Sequence, residues 1–215
     1  MSLKITIIDY EAGNLRNIQK AIEHLGYKAL ISKQINAVEE ADILVLPGVG
    51  AFHSGMNVLE GLGLIEALRK AVIKNRKPLL GVCLGMQLLG REGHEGGKRA
   101  GLGFLPMTIH RLQSDKKGLR LPHIGWDNVV ASDHSVLFSE IPKDPDFYFV
   151  HSYQAVCEDE SIIAATCEYG HRFVAAVEKD NIFATQFHPE KSQRYGLQVL
   201  KNFMNYCKTY KPGND

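Results

Sequence analysis

The chain has 215 residues, of which 45% are hydrophobic and 23% charged, so a single domain over 1–215 with a sizeable core is expected. Its 25 Lys and Arg residues nearly balance its 24 Asp and Glu residues. The net charge of +1 gives no electrostatic reason to expect nucleic acid or an anionic membrane as a partner. No apolar stretch reaches the roughly 20 residues that a membrane helix needs.

The cysteine pattern does not indicate a metal or redox site. The four cysteines are Cys83, Cys157, Cys167 and Cys207. No two of them have the C-x-x-C spacing of zinc or thioredoxin-like sites. The first apolar run stops at Asp9, which is too early for a signal peptide. We therefore expect free thiols, a cytoplasmic location and neither a metal nor an organic cofactor.

The first half of the chain alternates short apolar strands with helices. Strands are predicted over 4–9, 28–32, 42–46 and 77–82, and helices over 14–25, 64–74 and 84–91. Such alternation is typical of βαβ units. An α/β fold with an open, mostly parallel sheet flanked by helices is therefore expected.

The second half is richer in strands. They are predicted over 107–112, 147–150, 162–167, 173–178 and 182–187, before a helix over 193–206. Lys179-Asp180-Asn181 separates two of these strands and is expected to form a hairpin turn. Five glycines over 93–103 indicate a surface loop. The domain should thus have a β-rich C-terminal half.

The strongest chemical signal is Gly81-Val82-Cys83-Leu84-Gly85, which joins a buried strand to a helix. This is the nucleophile-elbow pattern with cysteine in place of serine. The helix N-terminus favours a thiolate, and the N–H of Leu84 is placed to bind an oxyanion. Taken alone, the segment also fits an ordinary strand–helix turn with a structural cysteine. The other three cysteines are expected to be structural.

His188 is the histidine best placed to act as a base. It ends a strand, as Phe187-His188-Pro189-Glu190, and strand ends line the ligand sites of open parallel sheets. Glu190 lies two residues further on and can bind one ring nitrogen while the other faces Cys83. This predicts a Cys–His–acid triad. A histidine before proline is otherwise usually a surface turn residue.

These motifs resemble the class I glutamine amidotransferases. The resemblance rests on GVCLGMQ around Cys83 and QFHPEKS around His188. The segments IDYEAGNL, LPGVGAF, PHIGW and FYFVHSY are similar to those of the glutaminase subunits of imidazole glycerol phosphate synthases. The match covers nearly the whole chain in order.

The resemblance implies hydrolysis of L-glutamine without a cofactor, and transfer of the ammonia to a barrel-shaped cyclase or synthase subunit in a heterodimer. Cys83 would form a glutamyl thioester, His188 would move the proton, and Glu190 would orient His188. Gly50 and the Leu84 amide resemble an oxyanion hole, and a movable 48–50 segment could switch it. The implied glutamine-binding residues are Gly48, Gln87, Ser152 and Tyr153. The implied partner-interface residues are Asn14, Trp126, Tyr148 and Lys191.

Some alternatives stay open at the level of sequence. Glu11, Ile124 and Asp127 stand where the family often has glycine, methionine and asparagine, which bears on the identity of the partner. A paralogous subunit that feeds a synthase amidating a surface-polysaccharide sugar fits the same motifs. A cysteine peptidase and a non-catalytic subunit fit less well, because Gln87 and an intact triad pattern argue against them.

Overall fold

The computed structural model describes residues 3–13, 15–113 and 119–211. The strands are β1 (Ile5–Ile8), β2 (Ala29–Ser32), β3 (Ile43–Gly48), β4 (Leu79–Cys83), β5 (Glu92–Gly93), β6 (Arg99–Ala100), β7 (Met107–Arg111), β8 (His123–Ala131), β9 (Asp146–His151), β10 (Tyr153–Cys157), β11 (Ile163–Tyr169), β12 (His171–Lys179) and β13 (Ile182–Thr185). The α-helices are α1 (Leu15–His24), α2 (Ile35–Glu40), α3 (Phe52–Gly61), α4 (Leu64–Arg69), α5 (Leu84–Leu88) and α6 (Gln193–Thr209). A π-helical turn (Lys70–Lys74) continues α4, and 3-10 turns span Glu160–Ile162 and Pro189–Lys191.

Nine strands form one sheet in the order β2-β1-β3-β4-β13-β12-β11-β8-β9. The pairs from β2 to β13 are parallel, and those from β13 to β9 are antiparallel. A second sheet has the order β10-β7-β5-β6. The predicted α/β class and β-rich second half are confirmed.

Helices cover both faces of the large sheet. Apolar residues of α1 and α6, such as Ile22 and Phe203, pack on one face with Val45 of β3. On the other face, residues of α2 to α5, such as Leu68, pack with Leu44 and with the second sheet. Because the parallel strands are buried on both faces, their sequences are continuous apolar runs.

Most predicted elements are present, with some corrections. The predicted helix over 84–91 ends at Leu88, and the predicted loop over 93–103 contains parts of the β5–β6 hairpin. The predicted turn after Lys179 is confirmed, since Lys179 pairs with Ile182. Helices α2 and α3 and the long strand β8 were not predicted. None of the described helices is long and apolar enough to cross a membrane.

Candidate active site

Cys83 stands at the corner between β4 and α5. Its backbone has φ 54° and ψ −110°, a conformation that residues with a side chain rarely adopt. A strained residue between a buried strand and a helix is typical of a nucleophile elbow. The structure thus forms the sharp corner that the Gly-x-Cys-x-Gly pattern predicts.

The two glycines that flank Cys83 let this corner pack tightly. A Cβ atom on Gly85 would lie 1.7 Å from the carbonyl oxygen of Leu46. A Cβ atom on Gly81 would lie 2.9 Å from the side chain of Leu89. Side chains at either position would therefore push the helix away from the sheet.

The thiol of Cys83 is buried at the junction of β4, β9 and the end of β13. Its Sγ lies 3.9 Å from the carbonyl oxygen of Val150. The Nε2 atom of Gln186 donates to Sγ at 3.7 Å. The sulfur therefore contacts the chain segment that leads into His188.

His188 is brought to this junction by the order of the strands. β13 is the neighbour of β4, with Thr185 opposite Val82, so the chain leaving β13 runs beside Cys83. Nδ1 of His188 donates to Oε1 of Glu190 at 2.8 Å. Nε2 is buried and has no hydrogen-bond partner of ordinary geometry within the described ranges. Glu190 thus sets the tautomer and leaves Nε2 available.

The charge environment of His188 favours its protonated form. Burial lowers the pKa of His188, but interactions with Cys83 and Glu190 together outweigh it and raise the pKa to about 9. The pairing of β13 with β4 and the bond between His188 and Glu190 bring the three residues into one region of the molecule. Their joint role as a catalytic triad stays a prediction.

Hydrogen bonds through Ser192 fix the position of His188. The backbone N–H of His188 donates to the carbonyl of Tyr148 at 3.0 Å. The backbone N–H of Tyr148 donates to Oγ of Ser192 at 3.0 Å, and that Oγ donates to the carbonyl of His188 at 2.7 Å. The segment after β13 is thereby attached to β9.

The residues predicted to bind glutamine also lie together. Nε2 of Gln87 donates to the carbonyl of Tyr153 at 3.2 Å and to Oε1 of Gln186 at 3.0 Å. The carbonyl of Ser152 accepts from the N–H of Leu112 at 2.8 Å. Gln87 and the 152–153 main chain therefore form one wall next to Cys83.

A chain of hydrogen bonds supports this wall from behind. Oδ2 of Asp127 lies 2.6 Å from Nε2 of His123, whose Nδ1 lies 3.0 Å from Nε2 of His151. Nδ1 of His151 donates to the carbonyl of Tyr153 at 2.9 Å. Burial lowers the pKa of His151 to about 3, so this ring is neutral at physiological pH. Both histidines therefore take part in the hydrogen bonds behind the wall.

The residues predicted to form the oxyanion hole lie at the ends of neighbouring strands. Gly48 ends β3 directly opposite Cys83, and Leu84 begins α5. Val49 and Gly50 follow the strand and are exposed. Gly50 has φ +107°, a conformation that glycine adopts readily.

Three of the four predicted interface residues form an aromatic cluster beside His188. The rings of Trp126 and Tyr148 meet edge to face, with centroids 5.9 Å apart. Nζ of Lys191 lies 5.4 Å from the centroid of the Tyr148 ring, and that ring is 6.4 Å from the His188 ring. Asn14, the fourth, lies outside the described residues.

Two further residues of the site had no predicted role. Gln186 contacts both Cys83 and Gln87. Oε2 of Glu95 accepts from the N–H of Phe52 at 2.7 Å and so holds the start of α3, two residues after Gly50. Gln186 is the first residue of the QFHPEKS motif, which could have drawn attention to it. Glu95 lies in a glycine-rich segment with no such signal.

A small cavity of about 130 Å³ adjoins the site. Its lining includes Gly13, Val49, His188, Glu190 and Lys191. A larger cavity of about 560 Å³ lies over 129–145 and includes none of the predicted site residues. The small cavity therefore connects the buried histidine with the side of the molecule that carries the aromatic cluster.

Relatives by sequence are found over nearly the full length of the chain. The Imidazole glycerol phosphate synthase subunit HisH 1 of Campylobacter jejuni (strain RM1221) is 47% identical over 200 residues, which are 93% of this chain and 98% of the relative. The Imidazole glycerol phosphate synthase subunit HisH of Geobacter sulfurreducens is 46% identical over 204 residues, 93% of this chain and 97% of the relative.

Solved structures share the fold. A crystal structure of a glutamine amidotransferase has a TM-score of 0.74 at 19% identity and covers 95% of this chain and 99% of its own. A chain in the structure of PurLQS from Thermotoga maritima has a TM-score of 0.71 at 18% identity, with 96% and 99% covered. The family model of glutamine amidotransferase class-I matches residues 6–206. The chain therefore belongs to the class I glutamine amidotransferase family.

Proposed function

We propose that this protein is the glutaminase subunit of an imidazole glycerol phosphate synthase in histidine biosynthesis. It hydrolyses L-glutamine to glutamate and ammonia, and the ammonia passes to a cyclase partner. The main structural support is the meeting of Cys83, at a strained elbow, with His188, whose Nδ1 is bound to Glu190 at 2.8 Å. The relatives named as HisH subunits, at 46–47% identity, support the pathway.

In the first half of the reaction, Cys83 is the nucleophile. His188 takes the thiol proton, and Sγ attacks the carboxamide carbon of glutamine to form a tetrahedral oxyanion. The N–H groups of Leu84 and Gly50 stabilise the oxyanion. When the carbon–nitrogen bond breaks, the proton on His188 goes to the nitrogen, so that ammonia leaves and a glutamyl thioester stays on Cys83.

In the second half, water replaces ammonia. His188 removes a proton from a water molecule, whose oxygen attacks the thioester carbon. The carbon–sulfur bond then breaks, Cys83 regains its proton from His188, and glutamate is released. Glu190 keeps the imidazole oriented in both halves through its bond to Nδ1.

The position of the aromatic cluster supports docking of a partner next to the site. Trp126 is 41% exposed and Ile124 is 60% exposed, so β8 presents two large apolar side chains to solvent. We propose a heterodimer in which a barrel-shaped cyclase covers Trp126, Tyr148 and Lys191. Ammonia released near His188 would then enter the partner without crossing bulk solvent.

The test of this function is Cys83→Ala in the reconstituted heterodimer. We expect glutamine-dependent synthesis to fall to background, because no nucleophile is left. Synthesis from added ammonium salt should stay at the wild-type rate, because the partner performs that chemistry. Persistent turnover of glutamine by the variant would show that the nucleophile is misassigned.

The same assay separates the alternative function, in which the subunit feeds a synthase that amidates a surface-polysaccharide sugar. This alternative is tested because the chain differs from common residues of the family at Glu11, Ile124 and Asp127. The wild-type subunit is mixed with each synthase in turn, together with that synthase's substrate. Glutaminase activity should rise sharply only with the cyclase, and a response restricted to the other synthase would reverse the assignment.

A further inference from the structure

Tyr10 carries a buried hydroxyl group that none of the mechanism above uses. The side chain is fully buried, and its OH has no hydrogen-bond partner within residues 3–13, 15–113 and 119–211. Burial, reinforced by Cys83, raises the pKa of Tyr10, so the hydroxyl keeps its proton and stays a hydrogen-bond donor. A buried donor without an acceptor is unfavourable, and such a group in a folded protein calls for an explanation, of which a role in catalysis is one.

The hydroxyl lies directly against the segment proposed to supply the oxyanion donor. A Cβ atom on Gly48 would lie 1.7 Å from the Tyr10 oxygen and 3.2 Å from Cβ of Leu84. Gly48 is therefore needed for the close approach of the tyrosine. Gly48, in the segment proposed to supply one oxyanion donor, is thus a direct neighbour of this oxygen.

Tyr10 approaches from the side of the sheet opposite the nucleophile. Its ring belongs to the core formed with Phe52, Met56 and Leu84, whereas Cys83 belongs to the core on the other face. The hydroxyl is therefore better placed to bind the main chain of the segment than to bind glutamine.

The main chain beyond Gly48 is free to change its hydrogen bonding. Val49 and Gly50 are exposed, and no described side chain donates to or accepts from their backbone. The β1–α1 loop lies against this segment, since a Cβ on Gly13 would lie 3.3 Å from the Val49 side chain.

We propose that Tyr10 is a positioning residue whose hydroxyl donates to the main chain of the 48–50 segment when the Gly50 N–H turns toward the oxyanion. This inference rests on the proposed glutaminase function. In the described arrangement the hydroxyl is unpaired, so the bond stabilises only the competent arrangement. Loss of the bond therefore lowers the population of the competent arrangement. It removes no contact from the arrangement seen in the structure.

The test is Tyr10→Phe, assayed in the isolated subunit and in the complex with the cyclase and its ribonucleotide substrate. In the isolated subunit, where the competent arrangement is rare, kcat for glutamine should fall about 3- to 10-fold, the range for one hydrogen bond. In the complex, which already favours that arrangement, the fall should be no larger. KM for glutamine should be unchanged, and the urea midpoint of unfolding unchanged or higher, because an unpaired polar atom is removed.

Tyr206→Phe is the matched control, because its hydroxyl donates to the carbonyl of Asp180 at 3.0 Å and lies far from the site in α6. That variant should lose stability and keep its kcat. The inference is overturned if Tyr10→Phe has the wild-type kcat. It is also overturned if the variant loses activity and its urea midpoint of unfolding falls as well. If the wild-type protein hydrolyses no glutamine, alone or in the complex, both the proposed function and this inference are wrong. If wild type and Tyr10→Phe hydrolyse glutamine equally fast, only the inference is wrong.

Discussion

His188 is a buried imidazole that holds its proton more tightly than a histidine in water. Its pKa of about 9 results from burial, which lowers it, and from Cys83 and Glu190, which together raise it further. The unfolded chain should have a pKa of about 6.5 for this residue. Since the folded pKa is the higher one, protonation stabilises the folded state fully below about pH 6.5. That contribution is lost as the pH rises through 9.

The pH dependence can be isolated by comparing wild type with His188→Gln. The difference between their free energies of unfolding, measured in urea at several pH values, should shrink between pH 6.5 and 9. When the same comparison is made in a Glu190→Gln background, the difference in unfolding free energy should change less with pH. Glu190 is one of the two groups that raise the pKa of His188. A difference that stays constant over this range would contradict the proposed coupling.

At the scale of elements, the elbow depends on how closely α5 approaches β3. Gly85→Ala would place a methyl group 1.7 Å from the carbonyl oxygen of Leu46, which belongs to the backbone of a central strand and cannot move aside. Overpacking of this kind typically costs about 1–3 kcal/mol. We expect a loss of stability of this size in urea unfolding, and a lower kcat because Cys83 is displaced.

Gly61→Ala is the control for this prediction. Gly61 ends α3, has nothing within 4 Å of an added Cβ and needs no left-handed conformation. Alanine there should be neutral or stabilise by up to about 1 kcal/mol, because it restricts the unfolded chain. Equal changes in unfolding free energy for Gly85→Ala and Gly61→Ala would show that the elbow is not tightly packed.

At the scale of the whole molecule, the two edges of the large sheet differ. One edge carries β8 and β9 with the aromatic cluster next to His188, and the other is β2. Trp126→Ala should weaken binding to the cyclase at least tenfold, because exposed tryptophans at the centre of an interface are common hot spots. Titration calorimetry of the two subunits measures the effect.

Leu30→Ala is the matched control, since Leu30 is 57% exposed on β2, at the far edge of the sheet. It should leave the dissociation constant unchanged. Equal weakening by both variants, or by neither, would place the partner on another surface.

Elements with a strong local pattern were predictable, and elements that depend on packing were not. β1, β3 and β4 are apolar runs between turn residues, and this local pattern predicts each of them. α3 was missed because its sequence, FHSGMNVLEG, includes two glycines and little helix propensity. Burial of Phe52, Met56 and Leu59 against the sheet stabilises it instead.

β8 shows the same effect in a strand. Its sequence, HIGWDNVVA, contains glycine, aspartate and asparagine, which are poor strand formers. It forms nonetheless because it pairs with β9 on one side and β11 on the other. Trp126 of the aromatic cluster therefore lies on a strand that local propensity does not reveal.

The sequence by itself determined the chemistry of the candidate site. A strand followed by Gly-x-Cys-x-Gly and a histidine two residues before a glutamate are local patterns, so the candidate nucleophile, base and acid can be identified without knowledge of the packing. Tertiary structure alone decided that these two patterns meet, because β13 pairs with β4 although 103 positions separate Cys83 from Gln186. Tertiary structure alone also places the unpaired hydroxyl of Tyr10 against Gly48. Close packing between layers determines such contacts, and no local sequence pattern predicts them.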